Sequence, residues 1–207
     1  MLSNLTIVTV SLLGAVATSA ATLPTPSYAT LNQSNSIIQE TAIQEVAPEK
    51  PKEKRLICKG CNENETFTLN YLQDNGITDK NALATVMGNI RQESTFVPNI
   101  CEGGFRVSYE RCRSGGYGLI QWTDSARYNG LGNFAYNTKA NPSSIETQLN
   151  YMINEPDWKM IEPRMKQPGG TITDYMRLAH KWIRWGNHGS RTNFAYDYAK
   201  RLVSSES

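Results

Sequence analysis

From Thr66 onward, apolar residues recur at helical spacing in short runs, and each run is cut by a stop signal. This pattern restricts the chain to a bundle of short, packed helices. Residues 67–72 present apolar side chains on one helical face and end at Asn75-Gly76, a C-terminal stop. Thr78 or Asp79 can cap the next helix, in which Leu83, Val86, Met87 and Ile90 form one stripe. Glu93 lies at its end, and Pro98 forbids continuation. Asp124 suits the N-cap of a helix after Trp122, and Pro142 can open one carrying Ile145, Leu149, Met152 and Ile153. Thr173 can cap a helix that turns Tyr175, Met176, Ala179, Trp182 and Ile183 inward. The last helix begins near Ser190, with Phe194, Tyr198 and Leu202 on one face. Phe105, Val107 and Tyr109 alternate with polar residues, as in a short strand or hairpin. The expected architecture is therefore an α-rich α+β domain of about six helices with a small β element.

The first third of the chain lacks this periodicity. Residues 5–17 are apolar and small and are followed by Ser19-Ala20-Ala21, the pattern of an export signal over residues 1–21. The competing reading is an uncleaved membrane anchor, for which the run is short against a span of about 20 residues; after cleavage no stable membrane insertion is expected. Residues 22–57 carry Pro24, Pro26, Pro48 and Pro51 and few large apolar side chains, so they read as a flexible linker. The folded domain then occupies residues 58–207. A net charge of only +2 over 207 residues argues against an electrostatically driven nucleic-acid binder.

Four cysteines, Cys58, Cys61, Cys101 and Cys112, point to disulfides in an exported chain. Three pairings are open to them. The preferred one joins Cys101 to Cys112, which closes a Gly- and Arg-rich loop, and makes a small ring from Cys58 and Cys61. Zinc is the competing reading of Cys-Lys-Gly-Cys, but Cys-x10-Cys fits a zinc site poorly, and no metal or other cofactor is expected.

Two segments carry the chemistry. In Gly88-Asn-Ile-Arg-Gln-Glu-Ser-Thr-Phe-Val-Pro98, a carboxyl faces the negative end of a helix dipole, with Phe96, Val97 and Ile100 near enough in sequence to desolvate it. Both effects hold a proton on Glu93, as a glycosidase acid requires; Arg91 is the one neighbour that pulls the other way. In Gly116-Tyr-Gly-Leu-Ile-Gln-Trp122, the glycines leave room for a polymer near the backbone. Tyr117 and Trp122 offer flat faces for sugar rings, and Gln121 offers a donor and acceptors for a hydroxyl or acetamido group. The competing reading of this segment is a tight turn with Trp122 in the core. Asp124 is the nearest further carboxylate and completes the candidate substrate-binding set.

Residues 70–76, 88–95 and 116–123, taken in this order, resemble the phage tail lysozyme family and, more distantly, goose-type lysozymes and soluble lytic transglycosylases. The resemblance covers roughly residues 66–203. It implies a lysozyme-like fold, peptidoglycan glycan strands as substrate, no cofactor, and Glu93 as the catalytic acid of a muramidase or lytic transglycosylase. Action would be at the cell wall, outside the membrane or on a virion. The sequence departs from the family near Trp182-Ile-Arg-Trp185-Gly-Asn-His-Gly-Ser-Arg191, where an aromatic-Glu-Arg-Pro stretch is usual. The segment from Cys101 to Cys112, with Arg106, Arg111 and, just after it, Arg113, looks like an insertion able to rim the cleft. Two alternatives stand beside this reading. One is a cysteine peptidase of murein stem peptides, using Cys58 or Cys61 with His180 or His188. The other is a non-catalytic murein-binding module.

Overall fold

The computed structural model describes residues 55–113 and 115–205. The expected export signal and the linker up to residue 54 lie outside them. Among the described residues there are seven α-helices and two small two-stranded sheets. Strand β1 (Leu56–Cys58) pairs antiparallel with β4 (Leu202–Ser204), so the two ends of the domain close on each other, with Ile57 opposite Val203. Leu56 and Ile57, read from sequence as the end of the linker, are thus part of a strand.

Helix α1 (Glu63–Asp74) starts at Asn62 with a reciprocal capping box to Glu65. The other Glu65 carboxylate oxygen accepts from the Tyr198 hydroxyl, which ties this helix start to α7. Asp79, rather than Thr78, caps α2 (Lys80–Ser94) by accepting from the backbone N–H groups of Asn81 and Ala82. All four residues of the expected α2 stripe are fully buried, each contributing about 1.5–3 kcal/mol relative to exposure. Ala82, Ala84, Thr85 and Asn89 are buried as well, so α2 is covered on most of its circumference and forms the centre of the domain.

Strands β2 (Ile100–Cys101) and β3 (Phe105–Arg106) make a hairpin, but the alternation expected to run through Val107 and Tyr109 stops at Arg106, and Tyr109 opens a 3-10 turn at Tyr109–Arg111. Asp124 caps α3 (Ser125–Thr138), as its sequence position suggests. Helix α4 (Ile145–Asn154) begins at the Ser144 cap, three residues after the position that Pro142 would set. The sequence reading misses α5 (Pro156–Met165), which Pro156 opens and which holds Pro163 in its interior. Helix α6 (Ile172–Ile183) is capped by Thr171 in a box with Asp174, two residues before the expected Thr173. Helix α7 (Arg191–Arg201) starts after Ser190 and turns Arg191, Ala195 and Tyr198 inward, whereas Phe194 is only partly covered.

The α2–α7 packing decides where the site forms. A Cβ on Gly88 would lie 2.6 Å from the Ala195 backbone nitrogen, so only glycine lets the two helices approach this closely. Both disulfides form, Cys58–Cys61 and Cys101–Cys112, which leaves no free thiol on the chain. No helix among the described residues is long and apolar enough to cross a membrane.

Candidate active site

Glu93 occupies the last turn of α2. Thr95 (φ 49°) and Phe96 (φ 61°) then adopt the left-handed region, which is uncommon for residues other than glycine. Burial of the Phe96 ring, and its carbonyl accepting from Asn64 Nδ2 at 2.9 Å, hold this bend. Ser94 Oγ donates to the Leu119 carbonyl at 2.8 Å, which joins the end of α2 to the 116–122 turn. The two sequence motifs therefore meet in space.

They meet at a cleft of about 420 Å³. One wall carries Glu93, Ile120, Gln121 and Asp124, and the other is the segment after α6, with Trp185 and Asn187. Arg127, Arg184 and Arg191 add three guanidinium groups. The Glu93 side chain is 13% exposed, and Arg191, itself 6% exposed, donates Nη2–H to its Oε1. Burial pushes the Glu93 carboxyl above the ordinary carboxylate range, while the Arg191 hydrogen bond and the charges of Arg191 and Arg127 pull it down. Burial is the largest effect, and the net direction is up. Arg91, the cation expected to oppose it, instead pairs with Asp197 at 2.8 Å and lies over the Phe194 ring.

The aromatic rings of the second motif are packed into the core rather than presented to a sugar. Tyr117 and Trp122 are both 0% exposed, so neither has a ring face to offer a sugar. The Tyr117 hydroxyl bonds Ser143 at 2.6 Å, and Trp122 Nε1 donates to Glu155 at 3.2 Å. Both indeed serve as core, with their polar ends satisfied internally. The glycines of this turn do not leave room for a polymer either. Gly118 has a φ of 75°, and the Gln148 side-chain amide fills the space where its Cβ would be. Gln121 (φ 51°) is half-buried in the cleft wall, and its Nε2 donates to the Gly118 carbonyl at 3.0 Å. Asp124 also lines the cleft, while one of its oxygens caps α3 through Ala126 N at 2.8 Å.

Several residues were invisible to sequence reasoning. Glu155, between α4 and α5, is 2% exposed and accepts from Trp122, Trp182 and Arg127. Arg191 and Trp185 come from the stretch noted only as a departure from the usual pattern. Its concentration of Trp, Gly, Asn and Arg just before a helix was the one available signal. Arg106, Arg111 and Arg113 are exposed and take no part in lining this cleft. His180 sits edge-on to Trp185 with ring centroids 4.8 Å apart, and His188 bonds Thr192 at 2.8 Å. With every cysteine in a disulfide, neither histidine has a thiol to activate. Among the described residues, no three His, Cys, Asp or Glu side chains gather as metal ligands.

The phage tail lysozyme family matches residues 63–201, from the start of α1 to the end of α7. The chain belongs to that family. Its α-rich architecture is the lysozyme-like one, and the match takes in both cleft walls. A curated relative, "Morphogenesis protein 1" of Bacillus phage B103, is 33% identical over 106 residues. That stretch is 51% of this chain and 27% of the relative, so this chain spans only about a quarter of that protein's length.

Proposed function

We propose that the protein is a peptidoglycan hydrolase that cuts the glycan strand, with Glu93 as general acid. The observation that carries this is a carboxyl at a helix end, inside an open cleft, whose proton affinity is raised by burial in a member of the phage tail lysozyme family. A carboxyl that keeps its proton toward neutral pH can protonate the leaving glycosidic oxygen. Gln121, Trp185 and Asn187 line the space beside Glu93 and are the groups available to sugar hydroxyl and acetamido substituents. No second carboxylate is required on this reading. Asp124 is engaged as a helix cap, and the 2-acetamido group of the substrate can supply the assistance that a nucleophilic carboxylate would give. The reading extends to an exported or virion-associated protein acting at the cell wall, with residues 1–21 as its removable signal.

The test is lysis of purified cell walls by wild type and Glu93→Gln. The variant is expected to lose all but a few per cent of activity while keeping its fold by circular dichroism. Retention of substantial activity in the folded variant removes Glu93 from the role. Mass analysis of the released fragments then separates hydrolysis, which leaves reducing ends, from intramolecular cyclisation, which leaves anhydro ends.

A further inference from the structure

We propose that Arg191 is the positioning residue for Glu93, fixing the carboxylate and taking up its negative charge once the proton has left for the substrate. This rests on the reading of Glu93 as the acid. Arg191 is locked from three sides. Its Nη1 donates to the carbonyls of Asn187 and His188, both at 2.8 Å, and its Nη2 donates to Glu93. The guanidinium carbon lies 4.9 Å from the centre of the Trp185 ring. The fork is thus fixed by the same 184–190 segment that lines the cleft, and Gly88 lets α7 bring it onto the end of α2.

Packing alone accounts poorly for this arrangement. The side chain is 6% exposed, and its buried Nε has no hydrogen-bond partner. A desolvated cation with an unsatisfied donor opposes folding unless an anion compensates it. Glu93, once its proton has left, is the anion placed to do so. The pair is therefore complete in the state that follows proton transfer and incomplete in the state that precedes it. In that step the Glu93 O–H bond breaks and the proton bonds to the glycosidic oxygen. The C1–O bond breaks with its electron pair going to that oxygen, and the carboxylate so formed meets Arg191. Water, or the sugar's own hydroxyl, then adds at C1 and returns a proton to Glu93.

The charged or titratable groups lining the cleft around Glu93 are Asp124 and Arg127 from the start of α3, Arg184 from the turn after α6, and Arg191 from α7. His188 lies on the same segment but bonds Thr192, and Arg91, two residues before Glu93, is directed to Asp197. Arg127 and Arg184 are held by Glu155 and Asp157 respectively. Arg191 is therefore the cation whose removal changes Glu93 most directly.

The experiment measures kcat, KM and the pH profile for wild type, Arg191→Gln and Arg191→Lys on purified peptidoglycan. Arg191→Gln is expected to lower kcat about 10- to 100-fold with little change in KM, the loss of one charge-assisted hydrogen bond in the transition state. The same variant is expected to move the alkaline limb of the profile to higher pH by about one unit, because a carboxyl without its cation holds its proton longer. Arg191→Lys keeps the charge and is expected to bring the limb back toward wild type. A fall in kcat with an unmoved limb overturns the proposal, since a merely structural role has that signature. A wild-type measurement covers failure of the variants to fold. The Glu93 carboxyl carbon and the Arg191 guanidinium nitrogens are followed by NMR across pH, and the nitrogen shifts are expected to report the protonation of Glu93 by moving with the carbon at one midpoint. Independent midpoints overturn the proposal. A shared midpoint together with an active Glu93→Gln enzyme would leave the pair intact and remove the catalytic reading beneath it.

Discussion

Glu155→Gln is expected to destabilise the domain more than any comparable surface change. The Glu155 carboxylate is 2% exposed, and each of its oxygens accepts from one tryptophan and one arginine nitrogen. Oε1 accepts from Trp182 Nε1 at 2.8 Å and Arg127 Nη2 at 2.7 Å, and Oε2 accepts from Trp122 Nε1 at 3.2 Å and Arg127 Nε at 2.9 Å. Glutamine keeps the shape but has one carbonyl oxygen and one NH2 group. Whichever way the amide turns, its NH2 faces two N–H donors and two hydrogen bonds are lost. Arg127 also loses its main counter-charge and keeps the more distant Asp157 at 3.5 Å. Breaking one side of a buried pair costs about 3–5 kcal/mol. At about 2–4 °C per kcal/mol for a domain of this size, Tm should fall by about 6–20 °C. The assay is calorimetry and denaturant unfolding, with near-ultraviolet circular dichroism reporting the tryptophans. Asp74→Asn is the control, because the Arg55–Asp74 pair is largely exposed and is expected to matter by less than about 1 kcal/mol. A loss below about 1 kcal/mol in Glu155→Gln would refute the view that this carboxylate clasps α3, α6 and the 116–122 turn together.

Asp124→Asn should keep substantial wall-lytic activity, since asparagine caps a helix as well as aspartate does, and a thousandfold loss in the folded variant would instead name Asp124 as a catalytic partner. The stability difference between Glu93→Gln and wild type should shift in the variant's favour as pH rises from acid to neutral. A carboxyl whose pKa is raised on folding binds its proton more tightly in the folded state. Its contribution is present below the ordinary carboxylate range and is lost as pH climbs through the raised value. Melting curves of both proteins across that range check this, and a constant difference would show that burial does not dominate at Glu93.

Local signals in the sequence determined a large part of this protein. Helical spacing of Leu83, Val86, Met87 and Ile90 fixed α2, because burying a stripe on one side requires that period. Asp79, Asp124 and Ser190 marked helix starts, the first and second through side-chain oxygens that satisfy orphan N–H groups. The end-of-helix location of Glu93 was equally legible, since it follows from counting residues to Pro98. The tertiary structure alone decided what surrounds that carboxyl. Arg191 lies 98 residues away and reaches Glu93 only because Gly88 permits the α2–α7 approach. Tyr117 and Trp122 looked like exposed platforms because a buried ring and a sugar-binding ring have the same local sequence. Their burial depends on Ser143 and on Glu155, which lie in other elements. Glu155 itself carries no local signal, because a carboxylate becomes a clasp only when two indoles and a guanidinium from distant segments converge on it. Periodicity and capping are properties of neighbouring residues, and a chain displays them before it folds. Desolvation and charge pairing are properties of whatever packs alongside, and they exist only once it has.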